Sequence, residues 1–254
     1  GDVYKRQFHS VGTSSKSPFD AIVPATLTSA LQEALGTDQV NAVLGEQVYA
    51  ELGTTSGTTI VEGDIASVKA NESSWQNSCN DAAIVVLSRA GGESTDAAMK
   101  TEEGRNYLAL SSQEEDLMSY LKQQKEAGVF GSIIVLVNSE QAMELGWLDE
   151  YDVDACLVVG RPGAVGYTGI VNVLTGAANP SGRLVDTYAS NSLSAPATVF
   201  AGENTQTWAN LDWVENNDVD FGTDGSENNW IVYAEGIYVG YKYYETRYED
   251  TVLK

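Results

Sequence analysis

Three runs of consecutive apolar residues stand out along the chain, and none of them alternates with polar residues. They are AAIVVLS at 82–88, SIIVLVN at 132–138 and ACLVVG at 155–160, and each contains valine or isoleucine. A strand that is apolar on both faces is typical of a parallel sheet covered by helices, because both of its faces are then removed from water. The pattern therefore predicts three adjacent strands of a mainly parallel sheet.

Segments with helical spacing lie before, between and after these runs. In the clearest of them, about 112–127, a capping box is formed by Ser111 with Glu114 or by Ser112 with Glu115. The other helices are predicted over 25–35, 39–52, 140–147 and 163–175. Strands that alternate with helices predict an α/β fold with right-handed crossovers.

Three further segments do not follow this pattern. Residues 1–7, GDVYKRQ, fit nothing that follows, and we interpret them as an artefact of cloning or of sequence assembly, outside the fold. Residues 8–254 are predicted to form one domain, with a long surface excursion at about 190–229 that is rich in Asn, Ser, Thr, Asp and Gly. The aromatic run at 230–245 has strand propensity.

The charge of the chain argues against two classes of partner. With 14 basic and 36 acidic residues, the formal net charge is −22, which repels nucleic-acid phosphates and anionic lipid surfaces. No stretch approaches the roughly 20 apolar residues of a membrane-spanning helix. We therefore expect no nucleic acid and no membrane insertion. An acidic surface is compatible with a secreted or cell-surface bacterial protein, and the localisation stays open.

Few residues are suited to metal, cofactor or nucleophile chemistry. The chain has a single histidine, His9, so the sequence argues against a Ser-His-Asp triad and against a histidine metal site. The glycine-rich stretch 160–169 lacks the spacing of phosphate loops and dinucleotide-binding turns. Two cysteines do not form a disulfide framework; Cys156 is interpreted as a small buried hydrophobe, and the role of Cys79 stays open. We expect neither a metal nor a cofactor.

The chain contains many carboxylates, so we select candidates by their position relative to the predicted strands. The loop SRAGGESTD, residues 88–96, follows the first apolar run and carries Glu93 after two glycines. Ligands of parallel α/β sheets bind beyond the carboxyl ends of the strands. On position alone, Glu93 is equally well interpreted as a catalytic group or as a polar loop residue. Glu102 and Glu103 are expected to be solvated, whereas Glu235 lies in an apolar stretch, where a lone acid needs a partner.

Several segments of the chain resemble glycoside hydrolase family 3 and occur in the order and spacing seen in that family. The most specific is NPSGRL followed by Thr187-Tyr188; EGIYVGYKYYE at 235–245 is nearly as specific, and AAIVVLSRAGGESTD also matches. The resemblance covers about residues 8–250 and is to the second domain of the family. It implies an (α/β)6 fold, a three-layer sandwich in which a mainly parallel six-stranded sheet has helices on both faces.

The resemblance also implies roles for individual residues. Family 3 enzymes are similar to one another in using two carboxylates, a nucleophilic aspartate on a TIM barrel and, in many members, an acid/base glutamate on a sandwich-domain loop like Ser-Gly-Glu-Gly-x-Asp-Arg. Glu93 falls on the glutamate of that loop, which implies that it is the general acid/base. By the same comparison, Ser15 and Asp96 are candidates for binding substrate, and Arg89 is a further candidate.

This chain departs from the family loop at two positions, because Ser94 replaces a glycine and Ala97 stands where arginine is common. The resemblance implies the sandwich domain of a retaining, β-glucosidase-like glycosidase, which acts on carbohydrate together with a TIM barrel outside this chain. A non-catalytic domain that binds or positions carbohydrate is the alternative, and an unrelated flavodoxin-like binding module is a third interpretation. Trp208, Trp213 and Trp230 are candidates either for stacking on sugars or for covering the sheet edge.

Overall fold

The computed structural model describes residues 26–50, 52, 59–91, 97–163, 165–194 and 235–247. The chain divides into two compact units, residues 1–191 and 192–254. In the first unit the helices are α1 (Leu27–Leu35), α2 (Ile65–Ala70), α3 (Ser112–Glu126) and α4 (Gly166–Leu174), with 3-10 helices at Thr37–Gln39 and Glu72–Ser74 and a π-helical segment at Gly45–Tyr49. The second unit contains a 3-10 helix at Ser192–Ser194 and α5 (Tyr241–Thr246).

The three apolar runs form one parallel sheet. Its strands are β1 (Ala82–Ser88), β2 (Ser132–Asn138) and β3 (Ala155–Val158), in the order β1-β2-β3. Both pairs are parallel, with Ala82 opposite Ser132 and Ile134 opposite Ala155. The predicted adjacent parallel strands are therefore confirmed. The structure describes these three strands, and the six-stranded sheet implied by the resemblance stays a prediction.

The two faces of the sheet belong to two different hydrophobic cores. Side chains alternate along a strand, so Val85 and Leu87 of β1 lie in one core with α2 and α3, whereas Val86 lies in the other core with α1 and α4. The neighbouring strand follows the same alternation, with Val135 in the first core and Leu136 in the second. Burial on both faces explains why the runs are continuously apolar.

Helix α3 begins at the first of the two predicted capping boxes. The Ser111 hydroxyl accepts a hydrogen bond from the Glu114 backbone N–H at 3.2 Å, and Oε2 of Glu114 accepts one from the Ser111 N–H at 2.8 Å. These bonds satisfy two amide groups that a helix start otherwise leaves unpaired. Helices α1 and α4 also lie within their predicted ranges, 25–35 and 163–175.

Two helix predictions are wrong at least in part. Residues 140–147 contain turns and irregular backbone instead of a helix. Here the Ser139 hydroxyl donates to the Gln141 carbonyl at 2.9 Å and accepts from the Gln141 N–H at 3.0 Å. A local serine turn of this kind competes with helical hydrogen bonds. In the described part of the range 39–52, Gln39 ends a 3-10 helix, and residues 43–49 form a short helical stretch that ends in the π-helical segment Gly45–Tyr49.

In the second unit, residues 235–245 of the aromatic run are described, and they have a different structure from the one that the propensity of the run predicts. Residues 235–240 are irregular and turn-rich, and α5 follows as a helix rather than a strand. Local bonds account for it, because the Tyr243 N–H donates to the Gly240 carbonyl at 3.1 Å and the Thr246 hydroxyl donates to the Lys242 carbonyl at 2.7 Å. Residues 195–229 of the predicted surface excursion lie outside the described residues. No helix in the described ranges is long and apolar enough to span a membrane.

Candidate active site

The carboxyl ends of the strands meet at one edge of the sheet, and the candidate loop starts there. Ser88 at the end of β1 lies opposite Asn138 at the end of β2. The described residues stop at Gly91 and resume at Ala97. Several predicted site residues fall outside the described ranges, namely Ser15, Glu93, Asp96, Trp208, Trp213 and Trp230. The described site consists of the residues that hold the two ends of the loop.

Arg89 follows β1 directly, and its side chain is entirely buried. Its Nε donates to the Tyr107 carbonyl at 2.6 Å, and Nη1 donates to the Ser88 carbonyl at 2.8 Å. The two terminal nitrogens also donate to the two carboxylate oxygens of Glu114 at 2.9 and 2.7 Å, and Nη2 donates to the Ala109 carbonyl. All five N–H groups of the guanidinium therefore have acceptors within the protein. Substrate contact by Arg89 stays a prediction, and in this structure the side chain holds the protein backbone.

Glu114 is the counter-charge of Arg89 and is also fully buried. Besides the two bonds from the guanidinium, its carboxylate accepts the Ser111 N–H that belongs to the capping box. A buried ion pair of this kind is tolerated when additional hydrogen bonds satisfy both charged groups. The pair therefore connects the carboxyl end of β1 to the first turn of α3.

Tyr107 fixes the next residue of the loop, Ala90. Its hydroxyl donates to the Ala90 carbonyl at 3.1 Å and accepts from the Ala90 N–H at 2.9 Å. The tyrosine is fully buried, and the guanidinium carbon of Arg89 lies 5.8 Å from the centre of its ring. One side chain thus satisfies both backbone polar groups of Ala90, which holds the loop entrance in one position.

Gly91 is in close contact with the far end of the loop. A Cβ atom on this residue would lie 3.2 Å from the backbone nitrogen of Ala97 and 2.6 Å from Nε2 of Gln141. The Gly91 carbonyl accepts a hydrogen bond from Nη2 of Arg161 at 2.6 Å, and the same nitrogen forms an ion pair with Glu140 at 3.0 Å. The two residues that flank segment 92–96 therefore come together at the carboxyl edge of the sheet.

The three other predicted carboxylates within the described residues are accessible to solvent. Glu102 and Glu103 are exposed, as expected of solvated groups. Glu102 accepts a hydrogen bond from the Thr59 hydroxyl at 2.8 Å, and Glu103 accepts one from the Ser112 hydroxyl at 2.9 Å. Glu235 is half-exposed and lies at the start of a turn in the second unit.

Within the described ranges, the cysteines and the acidic side chains are not arranged as a metal site or a disulfide. In the part of the chain that the structure describes, no three His, Cys, Asp or Glu side chains are grouped closely enough to hold a metal ion. Cys156 is half-buried in β3, and burial raises the pKa of its thiol to about 11. The Cys79 thiol donates to the Asp38 carbonyl at 3.4 Å. Both cysteines are free thiols.

Two residues of this edge were not singled out by the sequence. Tyr107 lies in the stretch KTEEGRNY, in which the sequence indicates only the acids as candidates. Arg161 belongs to a glycine-rich turn whose sequence indicates only a tight connection. The capping-box spacing identified Glu114, although not its bond to Arg89. The signal in the sequence was an arginine directly after an apolar strand, because an arginine that is buried there requires a buried counter-charge.

Comparison with known proteins shows the family. Residues 6–241 match the family described as "Glycosyl hydrolase family 3 C-terminal domain". The "Beta-glucosidase" of Ruminococcus albus is 30% identical over 173 residues, which cover 68% of this chain and 15% of that protein. "Beta-glucosidase A" of Butyrivibrio fibrisolvens is 25% identical over 185 residues, which cover 65% of this chain and 19% of that protein. The chain thus spans less than a fifth of the length of these two relatives.

A solved structure shows the same fold. It is that of β-glucosidase 3B from Thermotoga neapolitana in complex with α-D-glucose, which matches with a TM-score of 0.62 and 22% identity over 91% of this chain and 29% of that chain. The family match over residues 6–241 shows that the interpretation as an unrelated flavodoxin-like module is wrong. With the family matched over 6–241 of 254 residues, the chain belongs to the glycosyl hydrolase family 3 C-terminal domain family.

Proposed function

We propose that this chain is the sandwich domain of a retaining β-glucosidase and that Glu93 is the general acid/base of that enzyme. Family membership and the β-glucosidase names of the relatives support the class of reaction. The observation that carries the assignment of the loop is the contact between Gly91 and Ala97 at the carboxyl edge of a parallel sheet. Ligands of such sheets bind beyond this edge.

Retaining glycosidases need two carboxyl groups roughly 5–5.5 Å apart on either side of the scissile bond. In the proposed enzyme, the nucleophile comes from the TIM barrel of the parent protein. Glu93 protonates the leaving oxygen and then removes a proton from the attacking water. Such an acid must hold its proton near neutral pH, through burial or through the charge of the opposing nucleophile.

The described residues contribute a rigid base for that loop. Arg89 and Tyr107 hold the backbone up to Ala90, and the absence of a side chain on Gly91 lets the two ends of the loop approach each other. Fixed geometry matters because a small displacement of a catalytic group lowers the rate steeply. The substrate class we propose is a neutral β-linked glucoside or related glycoside, which the formal charge of −22 does not repel.

The test is Glu93→Gln in the full-length parent protein, assayed with two aryl β-glucosides. A poor leaving group needs the proton, so we expect its rate to fall by about 10²–10⁴-fold. A good leaving group such as dinitrophenolate leaves without it, so its glycosylation step is nearly unchanged. The deglycosylation step slows, and added azide restores turnover by replacing the activated water. The alkaline limb of the pH profile flattens, because the group that must hold a proton has been removed.

Full activity of Glu93→Gln on the poor leaving group would show that Glu93 is a structural loop residue. The next variants are then Glu102→Gln and Glu103→Gln. Ser94 and Ala97, which depart from the family loop, favour a second candidate, a non-catalytic domain that positions carbohydrate. The parent gene discriminates between the two, because an adjoining barrel with an Asp-Trp nucleophile motif supports the enzyme and its absence supports the second candidate.

A further inference from the structure

We infer that Arg161 is a positioning residue for the loop that carries the acid/base, an inference that rests on the function proposed above for Glu93. Arg161 follows β3, and its Nη2 donates to the Gly91 carbonyl after β1 at 2.6 Å. The same nitrogen forms an ion pair at 3.0 Å with Glu140, which follows β2. One guanidinium therefore connects the segments that follow all three described strands.

The position of the accepting carbonyl explains why this contact matters. Tyr107 already satisfies both polar groups of Ala90, so the residue before Gly91 is fixed without Arg161. The Gly91 carbonyl belongs to the peptide group that joins Gly91 to Gly92, and rotation of this group redirects the chain two residues before Glu93. Glycine has no Cβ to restrict such a rotation. A charge-assisted hydrogen bond from a guanidinium restrains it.

Because the Arg161–Glu140 ion pair is partly exposed, an effect of Arg161 on the position of the loop can be distinguished from an effect on the stability of the fold. The side chains of Arg161 and Glu140 are 30% and 51% exposed, and exposed pairs contribute little to folding. The buried bonds of Arg89 and Tyr107 hold the surrounding fold independently of Arg161. Loss of Arg161 should therefore change the rate of the step that depends on the loop much more than it changes the melting temperature.

The experiment compares Arg161→Met with Arg161→Lys in the full-length parent protein. Methionine keeps a long apolar side chain and removes every donor, whereas lysine keeps a charge and a donor. We expect Arg161→Met to lower kcat for the poor leaving group by about 10- to 100-fold, with KM and the glycosylation rate of the dinitrophenyl glucoside nearly unchanged. Arg161→Lys should lower kcat less than Arg161→Met does. Arg105→Met is the matched control, because Arg105 forms a partly exposed ion pair with Glu115 and no bond to residues 88–91 is among its described contacts.

A double variant tests whether Arg161 acts through Glu93. In the Glu93→Gln background, Arg161→Met should cause no more than about a twofold further loss, because the group that it positions is already absent. The inference is overturned if Arg161→Met matches the wild type on the poor leaving group. It is also overturned by a loss that is equal on both substrates and persists in the double variant, or by a fall in melting temperature far beyond that of Arg105→Met. If Glu93→Gln alone has no effect, the proposed function fails; if it behaves as expected and Arg161→Met does not, only this inference fails.

Discussion

Arg89 and Glu114 form a buried ion pair with two hydrogen bonds, Nη1 to Oε1 at 2.9 Å and Nη2 to Oε2 at 2.7 Å, and neither side chain is exposed to solvent. The pair connects the end of β1 to the first turn of α3. Each charge is compensated by the other and by backbone groups, so removal of one partner leaves the other charge buried without compensation.

Glu114→Gln should therefore destabilise the chain strongly. The substitution keeps the shape of the side chain and removes its charge, which leaves the guanidinium of Arg89 buried without a counter-charge. We expect a loss of about 3–5 kcal/mol in the free energy of unfolding, measured by urea denaturation. Glu115→Gln is the control, since the side chains of the Arg105–Glu115 pair are 36% and 41% exposed. We expect this variant to lose about 1 kcal/mol or less in the free energy of unfolding. Equal losses in the two variants would contradict the structural role given to Arg89.

Gly131→Ala should also destabilise the chain, for a steric reason. Gly131 directly precedes β2, and a Cβ atom there would lie 2.8 Å from the carbonyl oxygen of Asp81, which directly precedes β1. The two paired strands cannot move apart at this point without losing hydrogen bonds between them. We therefore expect the free energy of unfolding, measured by urea denaturation, to fall by about 1–3 kcal/mol. Gly182→Ala is the control, because nothing lies within 4 Å of its added Cβ. A control that loses as much as Gly131→Ala would overturn this explanation.

The two thiols should differ in reactivity. Burial raises the pKa of Cys156 to about 11, compared with about 8.5 for an unperturbed thiol. The thiolate is the reactive form, so at pH 8 we expect alkylation of Cys156 to be slower than in the unfolded chain by about 10²-fold. Mass spectrometry of the labelled chain, with and without urea, measures this. Rapid labelling of Cys156 in the folded chain would contradict the burial of its thiol.

The same pKa fixes the sign of a pH effect on stability. The folded pKa of Cys156 lies above the unfolded one, so its contribution to stability is fully present below about pH 8.5 and is lost as the pH rises towards 11. As the pH rises through this range, the free energy of unfolding should therefore fall less in Cys156→Ala than in the wild type. Urea denaturation at each pH measures the difference. The Cys79→Ala variant provides the comparison. An identical alkaline loss in wild type and Cys156→Ala would exclude Cys156 as its source.

The parts of the fold that were predictable depend on local sequence. The continuous apolar runs predict β1, β2 and β3 because burial on both faces leaves no polar position in a strand, and the spacing of Ser111 and Glu114 predicts the start of α3 because the capping box closes within one turn. The helix predicted at 140–147 is wrong because one serine hydroxyl, that of Ser139, forms an alternative turn that periodicity does not register.

The contacts that hold the candidate site could not be predicted in the same way. Arg89 and Glu114 are 25 residues apart in the sequence, and Arg161 and Gly91 are 70 residues apart. Such contacts depend on the order of strands in the sheet and on the path of each connection, neither of which leaves a local pattern. The sequence motif identified the loop around Glu93, whereas only the fold brings Arg161 and Tyr107 to its base.

We expect the purified 254-residue chain to show no hydrolysis of aryl β-glucosides. Retention requires a second carboxyl group roughly 5–5.5 Å from the first, and in the proposed enzyme this nucleophile belongs to the barrel of the parent protein. Without it, the covalent glycosyl-enzyme intermediate cannot form. The measurement is release of nitrophenolate by the chain compared with a mock preparation, with the full-length parent protein as the positive control. Turnover above the mock that disappears in Glu93→Gln would show that this chain supplies both groups, and the assignment of the nucleophile to another domain would then be wrong.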